Sequence, residues 1–174
     1  MFVFRKIENK TWWSADREQH EDWLPLDDLR ADTFRDFRTT QNALSVFFLN
    51  DIAQQTIDRV VVACAAGRNS LHQVDYVVIA EDMVRALPVD FEEVPGKTLD
   101  SEVNAWHRDL SRLTARRLLE MAVMLSTKGA FARRSQKEVG RLMNAAIDAG
   151  VFSRDSLDKE LVQKLADAKF SPQA

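Results

Sequence analysis

The chain has 174 residues, of which 45% are apolar and 29% charged, and its formal net charge is −3. Such a chain can bury a full core without disulfides, and its single cysteine, Cys64, excludes an internal disulfide framework. The negative net charge argues against general binding of polyanions by the whole molecule.

The first residues lack the features of an export signal, because only a short apolar stretch precedes Arg5 and Lys6. Apolar runs such as Val60–Ala66 and Met121–Leu125 are far shorter than the roughly 20 residues of a membrane helix. Together with the single cysteine, these features predict a cytoplasmic protein that has no membrane partner.

Charge is distributed unevenly along the chain. Residues 1–96 carry 10 basic and 17 acidic side chains, whereas residues 97–174 carry 14 basic and 10 acidic ones. Eleven of the 15 Phe, Trp and Tyr residues also precede residue 97. We therefore predict an acidic, aromatic-rich α+β region over 1–96 and a basic helical region over 97–174 packed on it as one structural unit.

The first half of the acidic region is predicted to contain a strand, two short helices and a β-hairpin. Residues 2–8 alternate weakly and predict a first strand. The polar segment Ser14–Asp22 and the stretch that follows Pro25 predict short helices. Residues 34–49 predict a β-hairpin whose turn includes Asn42, because asparagine tolerates a positive φ.

A strand–helix–strand unit follows. Apolar residues recur at helical spacing over 51–66, and the β-branched run 75–80 is typical of a buried strand. A crossover of this length predicts that the strands before and after the helix run parallel. A short helix is predicted over 81–87, and the stretch 88–98, with two prolines and a glycine, forms the clearest boundary.

Three helices are predicted beyond that boundary. The first runs from Asp100 or Ser101 to Thr127, the second has a capping box at Ser135-Gln-Lys-Glu138 and ends at Gly150, and the third covers about 155–168. The predicted fold class is therefore α+β: a small mixed sheet of about four strands with flanking helices, followed by a C-terminal subdomain of three helices.

Basic residues recur at i,i+4 spacing in the helical region and define what we call the basic ridge. Its members are Arg108, Arg112, Arg116, Arg133, Lys137 and Arg141. Such a ridge can track nucleic-acid phosphates, or it can be a solvated face or a face docked on the acidic region. No aromatic residue interleaves Arg108, Arg112 and Arg116 to stack on bases.

Three polar residues, His107, Thr114 and Arg117, interrupt the apolar stripe of the predicted first helix. They can line a small pocket in which His107 acts as an acid–base group and Arg117 holds an anion. Alternatively, Arg117 forms a buried ion pair with an acid of the first region. No metal-ligating or nucleophile–base motif is present, so no metal or cofactor is predicted.

These features support three hypotheses about function. The first is a non-catalytic protein-interaction module of a bacterial cytoplasm, comparable to immunity or antitoxin proteins that mask a basic toxin surface. It would bind its partner through the acidic region, with candidate contacts at Trp12, Trp13, Trp23, Asp27 and Asp28. The alternatives are a nucleic-acid-binding protein that uses the basic ridge and a small enzyme with a His107/Arg117 pocket. The absence of a catalytic motif favours a protein that is not an enzyme.

Overall fold

The computed structural model describes residues 1–7, 31–37, 39 and 42–169. Within this part the chain forms six strands and six α-helices, so the predicted α+β class is confirmed. The strands are β1 Phe2–Ile7, β2 Leu44–Leu49, β3 Val74–Ala80, β4 Asp90–Glu92, β5 His107–Ser111 and β6 Ala130–Arg134. The helices are α1 Gln54–Ala66, α2 Glu81–Arg85, α3 Ser101–Trp106, α4 Ala115–Lys128, α5 Gln136–Asp148 and α6 Lys159–Lys169. The predicted short helices at 14–22 and after Pro25 lie outside the described residues.

The strands form one antiparallel sheet in the order β4-β5-β2-β1-β3-β6. Both β2 and β3 pair antiparallel with β1, so they run parallel to each other, as the crossover through α1 predicts. The sheet is nevertheless antiparallel and not mixed, because β1 lies between these two strands. It also has six strands instead of about four, since β4, β5 and β6 were not predicted.

The predicted hairpin over 34–49 is wrong in its first half. Residues Ala31–Phe37 form a 3₁₀-helix, and only the second half is a strand, β2. Phe34 and Phe37 are three residues apart, which brings them to the same side of a 3₁₀ turn, where they pack against the core. Asn42 does adopt the positive φ expected of a turn, at 61°.

The predicted helix over 100–127 is also wrong, because it is divided into α3, β5 and α4. Arg112 has a φ of 56°, which a right-handed helix does not allow. Leu110 is almost fully buried and pairs with Leu44 across the sheet. Apolar residues at 106, 110 and 113 match helical spacing, but a short run of this kind also fits a strand with a turn. Burial of Leu110 in the sheet therefore decides against the helix.

Other predicted elements are confirmed with small shifts of their ends. These are β1, α1, β3, α2 and α5. Gly150 follows α5 with a φ of 72°, the left-handed conformation that a helix end favours. The third predicted helix begins later than expected: a 3₁₀ turn at Arg154–Ser156 precedes α6.

The capping box of α5 forms as its sequence predicts. Ser135 Oγ accepts a hydrogen bond from the Glu138 amide at 3.3 Å, and the Ser135 amide donates to Glu138 Oε2 at 2.7 Å. The hydrogen bonds that Ser135 donates hold the pKa of Glu138 below its usual value.

We expect Ser135→Ala to lower the free energy of unfolding by about 1 kcal/mol, because Oγ no longer accepts from the Glu138 amide or donates to the Glu138 carboxylate. Gln136→Ala, at the next and exposed position, is the control and should change stability little. Urea denaturation of both variants checks this, and equal midpoints would contradict a stabilising role for the cap.

The chain divides into two compact units, each of which takes segments from both sides of residue 96. The first unit comprises Met1–Asp51, Asp75–Val94 and His107–Ala132. The second comprises Ile52–Val74, Pro95–Trp106 and Arg133–Ala174.

In the first unit, α4 and the 3₁₀-helix pack on one face of the sheet. Met121, Ala122 and Leu125 of α4 are buried there. The strand residues of the same cluster include Val3, Ile7, Leu44, Val46, Val77, Ile79 and Leu110. We call this side of the sheet the core face. The other side carries the buried Phe4, Phe47, Tyr76 and Val78 over β1, β2 and β3. Beyond Phe47 it carries polar residues on β2, β5 and β4, and we call this end of it the polar face.

In the second unit, α1 packs against α5, and α5 packs against α6. Asp100 is only 3% exposed and anchors α3 to α1. Its carboxylate accepts two hydrogen bonds from Arg59, at 2.6 and 3.0 Å, and further bonds from the amides of Glu102 and Val103. Burial by itself raises the pKa of Asp100, but the bonds from Arg59 and the two amides outweigh burial and hold that pKa below its usual value.

Candidate functional site

The site that we consider lies at β4, the strand at one end of the sheet. The segment that contains β4 lies between Pro88 and Pro95. Within it, Val89 and Phe91 alternate with the acidic residues Asp90 and Glu92. β4 pairs with β5 along one side, with Asp90 opposite Ser111 and Glu92 opposite Asp109. Since opposed residues of an antiparallel pair share a face, the acidic residues of β4 project from the polar face.

Three carboxylates, Asp90, Glu92 and Asp109, therefore share the polar face at this end of the sheet, and we call them the acidic edge. Glu92 and Asp109 are directly opposite each other, and Asp109 is also opposite Ser45 of β2. Like charges in directly opposed positions destabilise an antiparallel sheet. The chain thus keeps an unfavourable charge pair at a solvent-accessible position.

Hydroxyl groups offset part of this repulsion. Ser45 Oγ donates a hydrogen bond to Asp109 Oδ1 at 3.0 Å, and Ser111 Oγ donates one to Glu92 Oε1. A hydroxyl satisfies a carboxylate oxygen but carries no positive charge. The negative potential of the pair therefore remains available to a cationic group from outside.

His107 lies beside the acidic edge and is held in a defined orientation. Its Nδ1 is 2.7 Å from the carbonyl oxygen of Val94, so Nδ1 carries the hydrogen that is donated. Its ring packs edge-on against Phe47, and the side chain is 12% exposed. Nε2 then faces Asp109 Oδ1 at 3.7 Å. In its protonated state, His107 adds a positive charge next to Asp109.

The arrangement does not form a nucleophile–base pair. Ser45 donates its proton to Asp109 and not to His107, so the imidazole has no hydroxyl to activate. His107 can hold or release a proton, but no reacting group is hydrogen-bonded to it among the described residues. Ser45, His107 and Asp109 therefore determine the local electrostatic potential and do not form a catalytic relay.

The predicted pocket of His107, Thr114 and Arg117 is not assembled. His107 lies on the polar face opposite Phe47, whereas α4, which carries Arg117, packs on the core face. Thr114 is exposed and caps α4 by accepting a hydrogen bond from the Arg117 amide at 3.3 Å. The Arg117 guanidinium donates to the carbonyl of Arg112. Within the described ranges Arg117 is half-buried and contacts no carboxylate, so the alternative of a buried ion pair stays a prediction only for acids outside those ranges.

The basic ridge does not lie on one helix. Arg108 is on β5, Arg112 is in the following turn and Arg116 is on α4. Arg133 is on β6, while Lys137 and Arg141 are on α5. Each of the first three is near a carboxylate: Arg108 with Glu93 at 3.2 Å, Arg112 with Asp90 at 3.5 Å and Arg116 with Glu120 at 2.8 Å. The spacing argument for nucleic-acid binding is therefore lost, and such binding stays a prediction.

On the core face, the end of the sheet carries an aromatic surface. Phe91 of β4 and Phe48 of β2 meet edge to face with ring centroids 5.6 Å apart. The Arg85 guanidinium lies 4.7 Å from the Phe91 ring centroid and 5.5 Å from that of Phe48. Its Nε also donates to the buried carboxylate of Glu81. β4 therefore presents two carboxylates on one face and the Phe91 ring on the other.

Sequence reasoning missed this site because β4 and β5 were not predicted as strands. The alternation of Val89 and Phe91 with Asp90 and Glu92 is a short strand signal that was available. The five residues assigned to partner binding, Trp12, Trp13, Trp23, Asp27 and Asp28, lie outside the described residues. Searched over the described ranges, the chain has no group of three His, Cys, Asp or Glu side chains that can hold a metal ion.

We expect Glu92→Gln to raise the free energy of unfolding by about 0.5 kcal/mol, because it removes the repulsion with Asp109. Glu93→Gln is the matched control: Glu93 is 83% exposed and pairs with Arg108, so its change should be neutral or slightly destabilising. Thermal melts at low salt and about 1 M salt check this, because screening should abolish the gain. A loss of stability in Glu92→Gln would mean that the opposed carboxylates do not repel.

No described helix combines the length and apolar character needed to cross a membrane. Comparison of the chain with protein-family models, with curated proteins and with solved structures finds no match.

Proposed function

We propose that this chain is a non-catalytic protein-interaction module that binds a basic surface of a partner protein through the acidic edge. The observation that carries the proposal is the cross-strand pair of Glu92, which is exposed, and Asp109, whose side chain is 19% exposed. A protein that needed only stability would gain by replacing either carboxylate. A binding role accounts for its presence, because a lysine or arginine from a partner relieves the repulsion when it binds.

The surroundings of the acidic edge support the same reading. The hydrogen bonds to Glu92 and Asp109 come from the neutral hydroxyls of Ser111 and Ser45, which leave the negative charge of these two carboxylates in place. Arg112 lies 3.5 Å from Asp90, but both side chains are more than half exposed, so this ion pair is readily exchanged for another. Immunity or antitoxin proteins of a bacterial cytoplasm, which mask basic toxin surfaces, are the class to which such a module would belong.

The test uses a fluorescently labelled oligolysine peptide as a stand-in for a basic partner. We expect the native chain to bind it with an affinity that falls steeply with added salt. Glu92→Lys should weaken binding about tenfold, because one attractive charge becomes repulsive, a change of about 1.4 kcal/mol. The same substitution should not unfold the protein, since the introduced ammonium group would lie opposite the carboxylate of Asp109.

The control is Asp167→Lys on α6, which makes the same change of charge at an exposed position far along the chain. It should leave most of the binding intact. Equal weakening by Glu92→Lys and Asp167→Lys would show that only net charge matters and would contradict the acidic edge as the site. Preferential binding of a nucleic-acid oligomer that Glu92→Lys strengthens would favour the alternative function.

A further inference from the structure

We infer that the partner binds by strand addition: an extended segment that alternates basic and apolar residues pairs with the free side of β4. This inference rests on the proposed function, because it specifies how the acidic edge recognises a basic partner. It differs from simple attraction between charged surfaces in requiring backbone hydrogen bonds and a fixed alternation of side chains.

The backbone of β4 is placed to accept another strand. β4 is the last strand in the order of the sheet and pairs with β5 along one side. Along its other side, no strand within the described ranges pairs with it. The Glu92 carbonyl accepts a 3.0 Å hydrogen bond from the Val94 amide. The other N–H and C=O groups on that side of Asp90–Glu92 can bond to water or to an added strand.

The side chains of β4 define which strand fits. Asp90 and Glu92 project from the polar face, while Phe91 projects from the core face and packs edge to face on Phe48. An added strand alternates in the same way, so its residues on the polar face meet carboxylates and those on the core face meet aromatic rings. Arg85 already lies over both rings, so a second cation is disfavoured there and an apolar residue is preferred.

The same features argue against a second copy of this chain as the occupant. Two β4 strands paired edge to edge bring Asp90 and Glu92 of one copy against those of the other, and like charges in such positions repel. The edge is also short, because Pro88 and Pro95 leave only residues 89–94 between them. A short, charged edge is a common protection against self-association, and it does not prevent pairing with a basic strand.

The chain's own residues 8–30 are a poor match for the same reason. Their sequence contains seven acidic and three basic residues. A segment with this excess of negative charge is repelled by the acidic edge. A basic strand from another protein is therefore the occupant that charge complementarity selects.

Peptides that share the same residues and the same charge test this inference on the full chain. The first is alternating, Lys-Val-Lys-Val-Lys-Val-Lys; the second has the same residues with the lysines grouped at one end. The third is the alternating peptide with N-methyl groups on every second amide, prepared in both registers. We expect the alternating peptide to bind about tenfold more tightly than the grouped one. In one register, N-methylation should weaken binding about fivefold or more, because backbone hydrogen bonds are lost.

Hydrogen exchange supplies an independent readout. Strand addition should slow exchange of those amides of Asp90–Glu92 that do not bond to β5, whereas attraction between charges alone should not. Equal binding of all three peptides, without this protection but still weakened by Glu92→Lys, would overturn strand addition and leave the proposed function standing. If substitutions of Glu92 do not change peptide binding, both strand addition and the proposed function are overturned.

Protection of the same amides in the isolated chain would also overturn the inference, because the edge would already be covered. Dependence of that protection on protein concentration would identify a second copy as the occupant. Independence of concentration would identify the chain's own residues.

Discussion

Replacing Arg59 by alanine is expected to lower the free energy of unfolding by about 2–3 kcal/mol, because it leaves the buried carboxylate of Asp100 without its charged partner. Two amides of α3 still donate to that carboxylate, and Arg59 is 35% exposed, so the cost lies at the lower end of the range for broken buried pairs. Loss of the contact with the Trp106 ring adds a small term.

The effect should depend on pH in a defined direction. The pKa of Asp100 is lowered in the folded chain, so its contribution is present above the unfolded value of about 4 and is lost as pH falls through the folded value. The native chain should therefore lose stability as the solution is acidified below about pH 4. In Arg59→Ala the hydrogen bonds that oppose the effect of burial on Asp100 are lost, so the pKa of Asp100 rises. The variant should therefore lose less stability in acid than the native chain does. The stability difference between the two proteins should thus narrow in acid.

Urea denaturation at neutral pH and near pH 3 measures both expectations. Arg116→Ala is the control, because Arg116 is 87% exposed and forms only an i,i+4 pair with Glu120. Its cost should not exceed about 0.5 kcal/mol. If Arg59→Ala and Arg116→Ala unfold at the same urea concentration, the Arg59–Asp100 pair does not stabilise the second unit.

Replacing Gly129 by alanine is expected to cost about 2–3 kcal/mol, the effect of forcing an added methyl group into a packed site. A Cβ at this position would lie 2.4 Å from Cγ2 of Val77 and 2.5 Å from the carbonyl oxygen of Leu125. Val77 is fully buried in β3, and the Leu125 carbonyl accepts a 2.8 Å hydrogen bond from the Gly129 amide. Neither neighbour can move without disturbing the sheet or the end of α4.

Gly67→Ala is the matched control for this substitution. No atom lies within 4 Å of the corresponding Cβ position, and Gly67 has a φ of −82°, which alanine adopts freely. Its change in stability should be neutral or slightly favourable, because alanine restricts the unfolded chain. Thermal melts compare the two variants. A Gly129→Ala protein as stable as Gly67→Ala would mean that β3 and the end of α4 pack more loosely than these distances require.

The candidate site could be predicted from the sequence only in part. An acidic, aromatic-rich region over 1–96 was recognised, and it includes Asp90, Phe91 and Glu92. Asp109 belongs to the other region and was expected on a helix. The opposition of Glu92 and Asp109 depends on the register between β4 and β5, and no local pattern specifies the register of two separate segments. His107 was singled out, but with Arg117 as its neighbour instead of Asp109.

The sequence by itself determined those elements in which several local signals agree. In α5, an apolar stripe, the Ser135–Glu138 capping box and the terminal Gly150 all indicate one helix, and it forms. In β3, a β-branched run of buried length has no competing helical pattern. Only the tertiary structure decided the conformation of residues 100–128 and 31–37, where apolar spacing is compatible with more than one element. There, burial of Leu110 between strands and of Phe37 against the core outweighs local preference, because removal of apolar side chains from water contributes more than helix propensity does.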